Sequence, residues 1–269
     1  MLIDFHTHVF PDAVAPKAIA SLQKGLVNKQ GAEYPTYTDG TLAGLLDSMD
    51  RQGVDLSIAM PVVTSAKQTR SINEFAKAIT NDRVISFAGF YPLQEDWESV
   101  MEQIKAEGFL GIKLHPEFQN LYLDSDRAIA ILKKAEQLDL IVMLHAGEDP
   151  GVISPVYSSP QRLGYALTQV SGDKIIAAHM GGWNCWDEVE KHLIGKNVYL
   201  DTSMAMGFMP AQRCERLIKN HGVDKILFGS DSPWQPPQEI LSFLKSMDLS
   251  EADLAKITHK NALQLLGRE

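Results

Sequence analysis

The sequence is poor in cysteine and lacks long runs of apolar or of basic residues. Its 269 residues include only two cysteines, Cys185 and Cys214, whereas small secreted proteins that depend on disulfides carry more at closer spacing. We therefore expect reduced thiols and a cytoplasmic protein. No apolar stretch approaches the roughly 20 residues of a membrane span. The start of the chain also lacks a basic segment followed by an apolar one, so we predict no secretory signal.

Positive charge is also scarce. The chain has 34 acidic and 25 basic residues, a net charge of -9, and no cluster of Lys and Arg. This balance argues against nucleic acid as a partner, because nucleic-acid binding needs a basic surface. We expect a small-molecule substrate instead. An anionic substrate would need local positive charge from a metal or from a few Lys, Arg or His side chains.

Short apolar segments alternate with longer amphipathic ones along the whole chain. Several of the apolar segments carry no polar residue, as expected for parallel strands that helices cover. The eight predicted strands are residues 2–8, 55–61, 84–91, 111–115, 140–145, 174–179, 197–202 and 225–231. Eight strand–helix units predict a (β/α)8 TIM barrel, a single α/β domain over residues 1–269. The alternative, a doubly wound open sheet, would usually show a glycine-rich turn after the first strand, where His-Thr-His stands. The longest irregular segment, residues 147–160, follows the fifth strand and is either a lid or a passive connection.

Polar residues occupy the first strand in an alternating pattern. His6 and His8 are two residues apart, so on a regular strand they point to the same side. We expect that side to be the barrel interior, with Ile3, Phe5 and Thr7 facing the helices. Asp4 would then share the side of the histidines, one layer below them.

Further polar residues end other predicted strands. His145 ends the fifth strand, His179 the sixth and Asp231 the eighth. Barrel enzymes place their active sites at this rim, where the carboxyl ends of the strands meet. Neutral imidazoles with a carboxylate suit Zn²⁺ or another divalent ion that keeps a position open for water. Each residue alone could equally be a hydrogen-bonded structural residue, but their convergence predicts a metal site.

Four sequence blocks carry a family resemblance. They are IDFHTH at residues 3–8, LHAG at 144–147, AHMGG at 178–182 and LFGSD at 227–231. In this order they resemble the amidohydrolase superfamily, and within it the amidohydrolase-related branch that includes aminocarboxymuconate-semialdehyde decarboxylase. The resemblance implies one Zn²⁺ per chain, or another divalent ion such as Mn²⁺ or Fe²⁺, bound by His6, His8, His145 and Asp231. It also implies catalytic roles in proton transfer for His179 and Asp231, and it suggests a homodimer.

The fourth predicted strand carries two polar residues whose roles the sequence leaves open. Lys113 and His115 lie on one face of this strand. Lys113 could be carboxylated and bridge two metals, could bind a substrate carboxylate as a plain cation, or could pair with Asp4 or Asp231. The branch that this chain resembles does not use the bridging lysine, so we predict that Lys113 and His115 bind substrate.

The resemblance leaves several functions open. The leading prediction is a metal-dependent hydrolase that acts on a small, carboxylate-bearing amide, ester or lactone through an activated water. The alternative is a nonhydrolytic carboxy-lyase or hydratase that acts on an unsaturated or aromatic acid at the same site. A further alternative, from a different class, is a metal-binding protein that has lost catalysis.

Overall fold

Eight parallel strands form the centre of the molecule. The computed structural model describes residues 1–25, 35–151 and 155–268, so residues 152–154 of the predicted irregular segment lie outside the described residues. The strands are β1 (Ile3–Thr7), β2 (Leu56–Ala59), β3 (Val84–Ser86, continuing as Ala88–Gly89), β4 (Gly111–Leu114), β5 (Ile141–Leu144), β6 (Ile175–Ala177), β7 (Tyr199–Asp201) and β8 (Ile226–Leu227). Each strand lies inside a segment that the sequence predicts.

The strands pair in sequence order and close into a barrel. Each strand from β1 to β7 pairs in parallel with the next, and the interruption of β3 at Phe87 divides the ladder into two sheets. Backbone hydrogen bonds join the first strand to the last: Phe5 N donates to Phe228 O at 2.8 Å and Asp231 N donates to His6 O at 2.8 Å. The predicted (β/α)8 barrel is confirmed.

Helices surround the barrel. They are α1 (Ala15–Gly25), α2 (Leu42–Gln52), α3 (Thr69–Ile79), α4 (Trp97–Ala106), α5 (Pro116–Gln119), α6 (Asp126–Gln137), α7 (Pro160–Ala166), α8 (Trp186–His192), α9 (Ala211–His221), α10 (Pro237–Lys245), α11 (Glu251–Ala255) and α12 (Asn261–Leu266). The ends of α6 and α2 follow from local chemistry. The Ser125 hydroxyl accepts from Ala128 N at the start of α6, and Gly53 ends α2 at a φ of 67°, which favours glycine. None of the helices in the described part of the chain has the length and hydrophobicity to cross a membrane.

Two apolar clusters fill the fold. The larger lies between the strands and the surrounding helices, whereas the smaller combines residues from the strands with the end of α12 and fills the barrel interior. Phe5 belongs to the interior cluster and packs edge-to-face on Phe87 at 6.0 Å. The prediction that Ile3 and Phe5 face the helices is therefore wrong. The register of β1 against β2 shifts between Asp4 and Thr7, and such a shift changes which side the following residues face.

Candidate metal centre

His6 reaches the interior of the barrel from the end of β1. Its Nδ1 lies 2.8 Å from Oδ2 of Asp201, the last residue of β7, and both side chains are buried. Because a carboxylate only accepts, Nδ1 carries the proton and Nε2 keeps its lone pair. Burial, followed by the charge of Lys113, lowers the pKa of His6 to about 4, so the imidazole is neutral at pH 7.

His8 is oriented by a different partner. Its Nδ1 donates to the Met60 carbonyl at 2.7 Å, which directs Nε2 toward Asp231. Oδ1 of Asp231 lies 3.1 Å from this Nε2 and 3.4 Å from Nε2 of His6. Two imidazole nitrogens thus converge on one carboxylate oxygen, and two imidazoles with a carboxylate are ligands that Zn²⁺ accepts.

Asp231 is fixed by its backbone. Its φ is +60°, in the left-handed region that is costly for residues other than glycine, and its N–H donates to the His6 carbonyl. Burial by itself would raise the pKa of Asp231, but electrostatic attraction by His6 and a hydrogen bond from His8 outweigh burial and hold this pKa well below its usual range. The carboxylate is therefore ionised and available as a ligand or a base.

Lys113 enters the same centre from β4. It is buried, and its Nζ lies 3.3 Å from Nε2 of His6. Burial lowers the pKa of Lys113 to about 8, against the opposing attraction of Asp231 and Asp201, so the ammonium form predominates at pH 7. Asp4 is not its partner. Asp4 accepts hydrogen bonds from the backbone N–H and the hydroxyl of Ser230, and it contacts His6 only through the backbone N–H.

A chain of hydrogen bonds runs from Asp201 to His145. The Ser203 hydroxyl donates to Oδ1 of Asp201, so its oxygen accepts from Nδ1 of His179 at 2.8 Å. His179 is neutral because burial lowers its pKa, and its Nε2 consequently accepts from Nδ1 of His145 at 3.1 Å. The proton on Nδ1 of His145 leaves Nε2 of that ring as a lone pair.

His145 and His115 form a second cluster on the same rim. Their rings stack at 4.2 Å, and burial lowers the pKa of each well below the usual value. Nε2 of His115 lies 3.4 Å from Oδ2 of Asp149, and Nε2 of His145 lies 3.9 Å from Oε2 of Glu117. Burial raises the pKa of Glu117 to about 7, although two hydrogen bonds from Ser158 oppose the shift.

The structure thus brings some of the predicted site residues together and separates others. In the described part of the chain, three groups of side chains have ligand atoms close enough to hold a metal: His6, His8 and Asp231; His6, His179 and Asp201; and His115, His145 and Asp149. His145 is not grouped with the first trio, so its role as a ligand of the same ion stays a prediction.

Sequence reasoning missed four of the residues that shape the centre, namely Asp201, Ser203, Glu117 and Asp149. Asp201 carried a usable signal, since it is a carboxylate near the end of the seventh predicted strand.

Comparison with known proteins agrees with this geometry. A family model described as amidohydrolase matches residues 3–268. The chain belongs to the amidohydrolase family. The resemblance drawn from the four sequence blocks is confirmed, and the chain has the fold and the His and Asp groups of this family of enzymes, which typically bind a divalent metal. No curated protein matches the sequence significantly.

Solved structures share the fold of this amidohydrolase at low sequence identity. A TIM-barrel protein of uncharacterised function from Bordetella bronchiseptica superposes with a TM-score of 0.76 at 16% identity, over 99% of this chain and 98% of the other. The 2,6-dihydroxybenzoate decarboxylase from Rhizobium gives 0.64 at 19% identity over 99% and 98%. A probable 2-pyrone-4,6-dicarboxylic acid hydrolase from Acinetobacter baumannii, with citric acid bound, gives 0.65 at 19% identity over 99% of both chains. Proteins described as a decarboxylase and as a probable hydrolase therefore share this fold.

Proposed function

We propose that this amidohydrolase hydrolyses a small, carboxylate-bearing amide, ester or lactone with a catalytic divalent ion, Zn²⁺ being the best match, on His6, His8 and Asp231. The observation that carries the proposal is the convergence of Nε2 of His6 and Nε2 of His8 on Oδ1 of Asp231, at 3.4 and 3.1 Å. Both imidazoles commit their other nitrogen to an acceptor, an arrangement that fixes the tautomer of metal-binding histidines. The bound ion would lower the pKa of a water toward about 7.

The protein groups around this centre supply the rest of the chemistry. Asp231 is ionised and accepts the proton of the attacking water. The Lys113 ammonium is the positive charge that holds a substrate carboxylate, while His115 lines the same rim and contacts the substrate as a neutral ring. His179 is fixed on both sides by Ser203 and His145, so it is placed to pass a proton along this chain of hydrogen bonds.

Asp231→Asn tests the hydrolytic proposal. Loss of general-base catalysis costs about 10²- to 10⁴-fold in kcat. Zinc-loaded protein would be screened with lactones, amides and esters that carry a carboxylate, and the zinc content of the variant would be measured beside its rate. Asp47→Asn, at an exposed carboxylate of α2 paired with Arg51, is the matched control and should keep full activity. Full turnover by zinc-loaded Asp231→Asn would refute the mechanism.

Decarboxylation is the second candidate, and the superposition with the Rhizobium decarboxylase supports it. The same screen would include aromatic and unsaturated acids, with CO₂ release recorded and the reaction run in ¹⁸O-labelled water. Hydrolysis places the label in a product carboxylate, whereas decarboxylation leaves the organic product unlabelled. CO₂ release without label in the product would replace the hydrolase proposal by a lyase. No turnover of any compound by zinc-loaded protein would favour an inactive metal-binding protein.

A further inference from the structure

His179 lies in a backbone turn of unusual conformation. The turn follows β6, and its residues His179, Met180 and Gly181 have φ values of +60°, +54° and +86°. All three lie in the left-handed region, which is costly for residues other than glycine. Two successive residues with side chains keep such values only where their surroundings hold them. The contacts of this turn therefore decide where the His179 ring lies.

Asp201 binds the N–H groups at the start of the turn. Its Oδ1 accepts from His179 N at 3.0 Å, and its backbone carbonyl accepts from Met180 N at 2.7 Å. At the end of the turn, Gly182 N donates to the His179 carbonyl at 3.3 Å. These bonds join the start of the turn to the end of β7.

Trp186 binds the carbonyl group of the same histidine. Its indole Nε1 donates to His179 O at 3.1 Å, and the indole is buried at the start of α8. An indole N–H can only donate, and a buried donor that loses its acceptor is costly. The bond therefore resists any rotation that carries the His179 carbonyl away from α8. Trp186 is no part of the candidate metal centre, so a substitution there leaves the proposed ligands and base in place.

We propose that Trp186 is a positioning residue for His179. Its hydrogen bond keeps the turn in its left-handed conformation, and the turn holds the His179 ring between Ser203 and His145. A turn that relaxes toward negative φ rotates the Cα–Cβ bond of His179 and carries the ring away from both partners. A displacement of about 1 Å can cost about 100-fold in rate. The inference rests on the proposed function, because it concerns the proton transfer assigned there to His179.

Trp186→Phe tests the proposal, since phenylalanine keeps an aromatic ring and removes the donor. Amide hydrogen exchange of residues 179–182 should become about 2- to 12-fold faster, as expected for the loss of one hydrogen bond. Zinc-loaded protein should hydrolyse the nitrophenyl monoester of succinic acid with a kcat about 10- to 100-fold lower than wild type. Its KM should stay within twofold of wild type, because Lys113, which is proposed to hold the substrate carboxylate, is unchanged.

Trp97→Phe is the matched control. Trp97 also begins a helix, α4, and it is 8% exposed where Trp186 is 6% exposed. The guanidinium of Arg127 lies over its ring at 5.4 Å. Both substitutions should lower the stability of the fold, whereas only Trp186→Phe should change the exchange of the turn and kcat.

Gly181→Ala loosens the turn without removing the indole. Alanine disfavours a φ of +86°, and its Cβ would lie 3.1 Å from a methyl group of Leu200. This variant should show the same faster exchange and lower kcat. Its control is Gly195→Ala, at a φ of +77° with open space around the added Cβ, and this control should change neither.

The exchange rates and the kinetics separate this inference from the proposed function. Exchange of residues 179–182 within twofold of wild type in Trp186→Phe overturns the inference, and so does faster exchange with an unchanged kcat or with a change in KM alone. Absence of turnover by zinc-loaded wild type would instead refute the proposed hydrolase, and the exchange rates alone would then decide the positioning role. Circular dichroism shows whether each variant folds. If Trp186→Phe does not fold, replacement of Trp186 by benzothienylalanine, in which sulfur takes the place of the N–H group, carries the same test.

Discussion

Asp201→Asn tests whether the hydrogen bond between Asp201 and His6 controls zinc binding at the metal centre. Asp201 is fully buried, and it touches the proposed ion only through His6. Asparagine keeps the shape and, with its oxygen in the place of Oδ1, still accepts from His179 N and from Ser203. Its NH₂ group then replaces Oδ2 and faces Nδ1–H of His6, so two hydrogen-bond donors lie against each other.

His6 can relieve this clash only by changing its tautomer. Nδ1 then accepts from the asparagine and the proton moves to Nε2, the nitrogen that faces Asp231. A protonated Nε2 cannot bind a metal, so the ion must either displace that proton or leave. The lost bond is a hydrogen bond to a charged group, worth about 1.5 to 3 kcal/mol. At about 1.4 kcal/mol per tenfold, this corresponds to roughly 10- to 150-fold weaker zinc binding.

A competition titration with a chromophoric chelator measures this change directly. Asp47→Asn serves as the control and should bind zinc like wild type. Zinc affinity of Asp201→Asn within twofold of wild type would show that the tautomer of His6 is not set by Asp201, and it would refute the reasoning. Long-range ¹H–¹⁵N spectra of the imidazoles in zinc-free protein give a second readout, because the proton on His6 should move from Nδ1 to Nε2.

The same carboxylate gives a pH dependence with a defined sign. Burial alone would raise the pKa of Asp201, but the charge and hydrogen bond of His6 outweigh burial and lower this pKa below its ordinary value of 3.8. A lowered pKa stabilises the fold above pH 3.8, and this stabilisation is lost as the pH falls through the folded-state value. The wild-type protein should therefore lose unfolding free energy below pH 4 faster than Asp201→Asn. Parallel losses in urea titrations at pH 3 to 5 would contradict this.

Three further predictions concern other parts of the molecule. Lys113→Met should bind zinc at least about tenfold more tightly, since the substitution removes a positive charge beside the metal ligands. Loss of zinc from this variant would instead show that the lysine is carboxylated. Burial raises the pKa of Cys214 to about 12, so at pH 8 only roughly one Cys214 thiol in 10⁴ is ionised. We therefore expect iodoacetamide to label only the partly exposed Cys185 in native protein. Peptide mass spectrometry measures this labelling. Equal labelling of both thiols would contradict this. Phe87→Ala should lower the free energy of unfolding by about 3 to 5 kcal/mol in urea titrations, because it empties a filled barrel interior; a loss below about 1 kcal/mol would contradict this.

The sequence by itself determined the barrel and the location of its site. Strands such as β5 and β6 are apolar throughout because both of their faces are buried, and the alternation of short apolar with longer amphipathic segments allowed all eight to be recognised without tertiary information. His6, His8 and Asp231 could be selected because polar side chains at the carboxyl ends of barrel strands meet at one rim.

Only the tertiary structure decided what each of these side chains faces. Regular alternation allows Phe5 or His6 to point inward, but not both, and the register shift of β1 against β2 is set by their pairing rather than by local sequence. The partner of His6 is Asp201, 195 residues away, and barrel closure brings the two together. His145 likewise lies among His115, Glu117 and Asp149 because the connections after β4 and β5 bring those groups over the rim. Spacing along the chain predicts the side of a strand, whereas contact across the barrel depends on how all eight strands close.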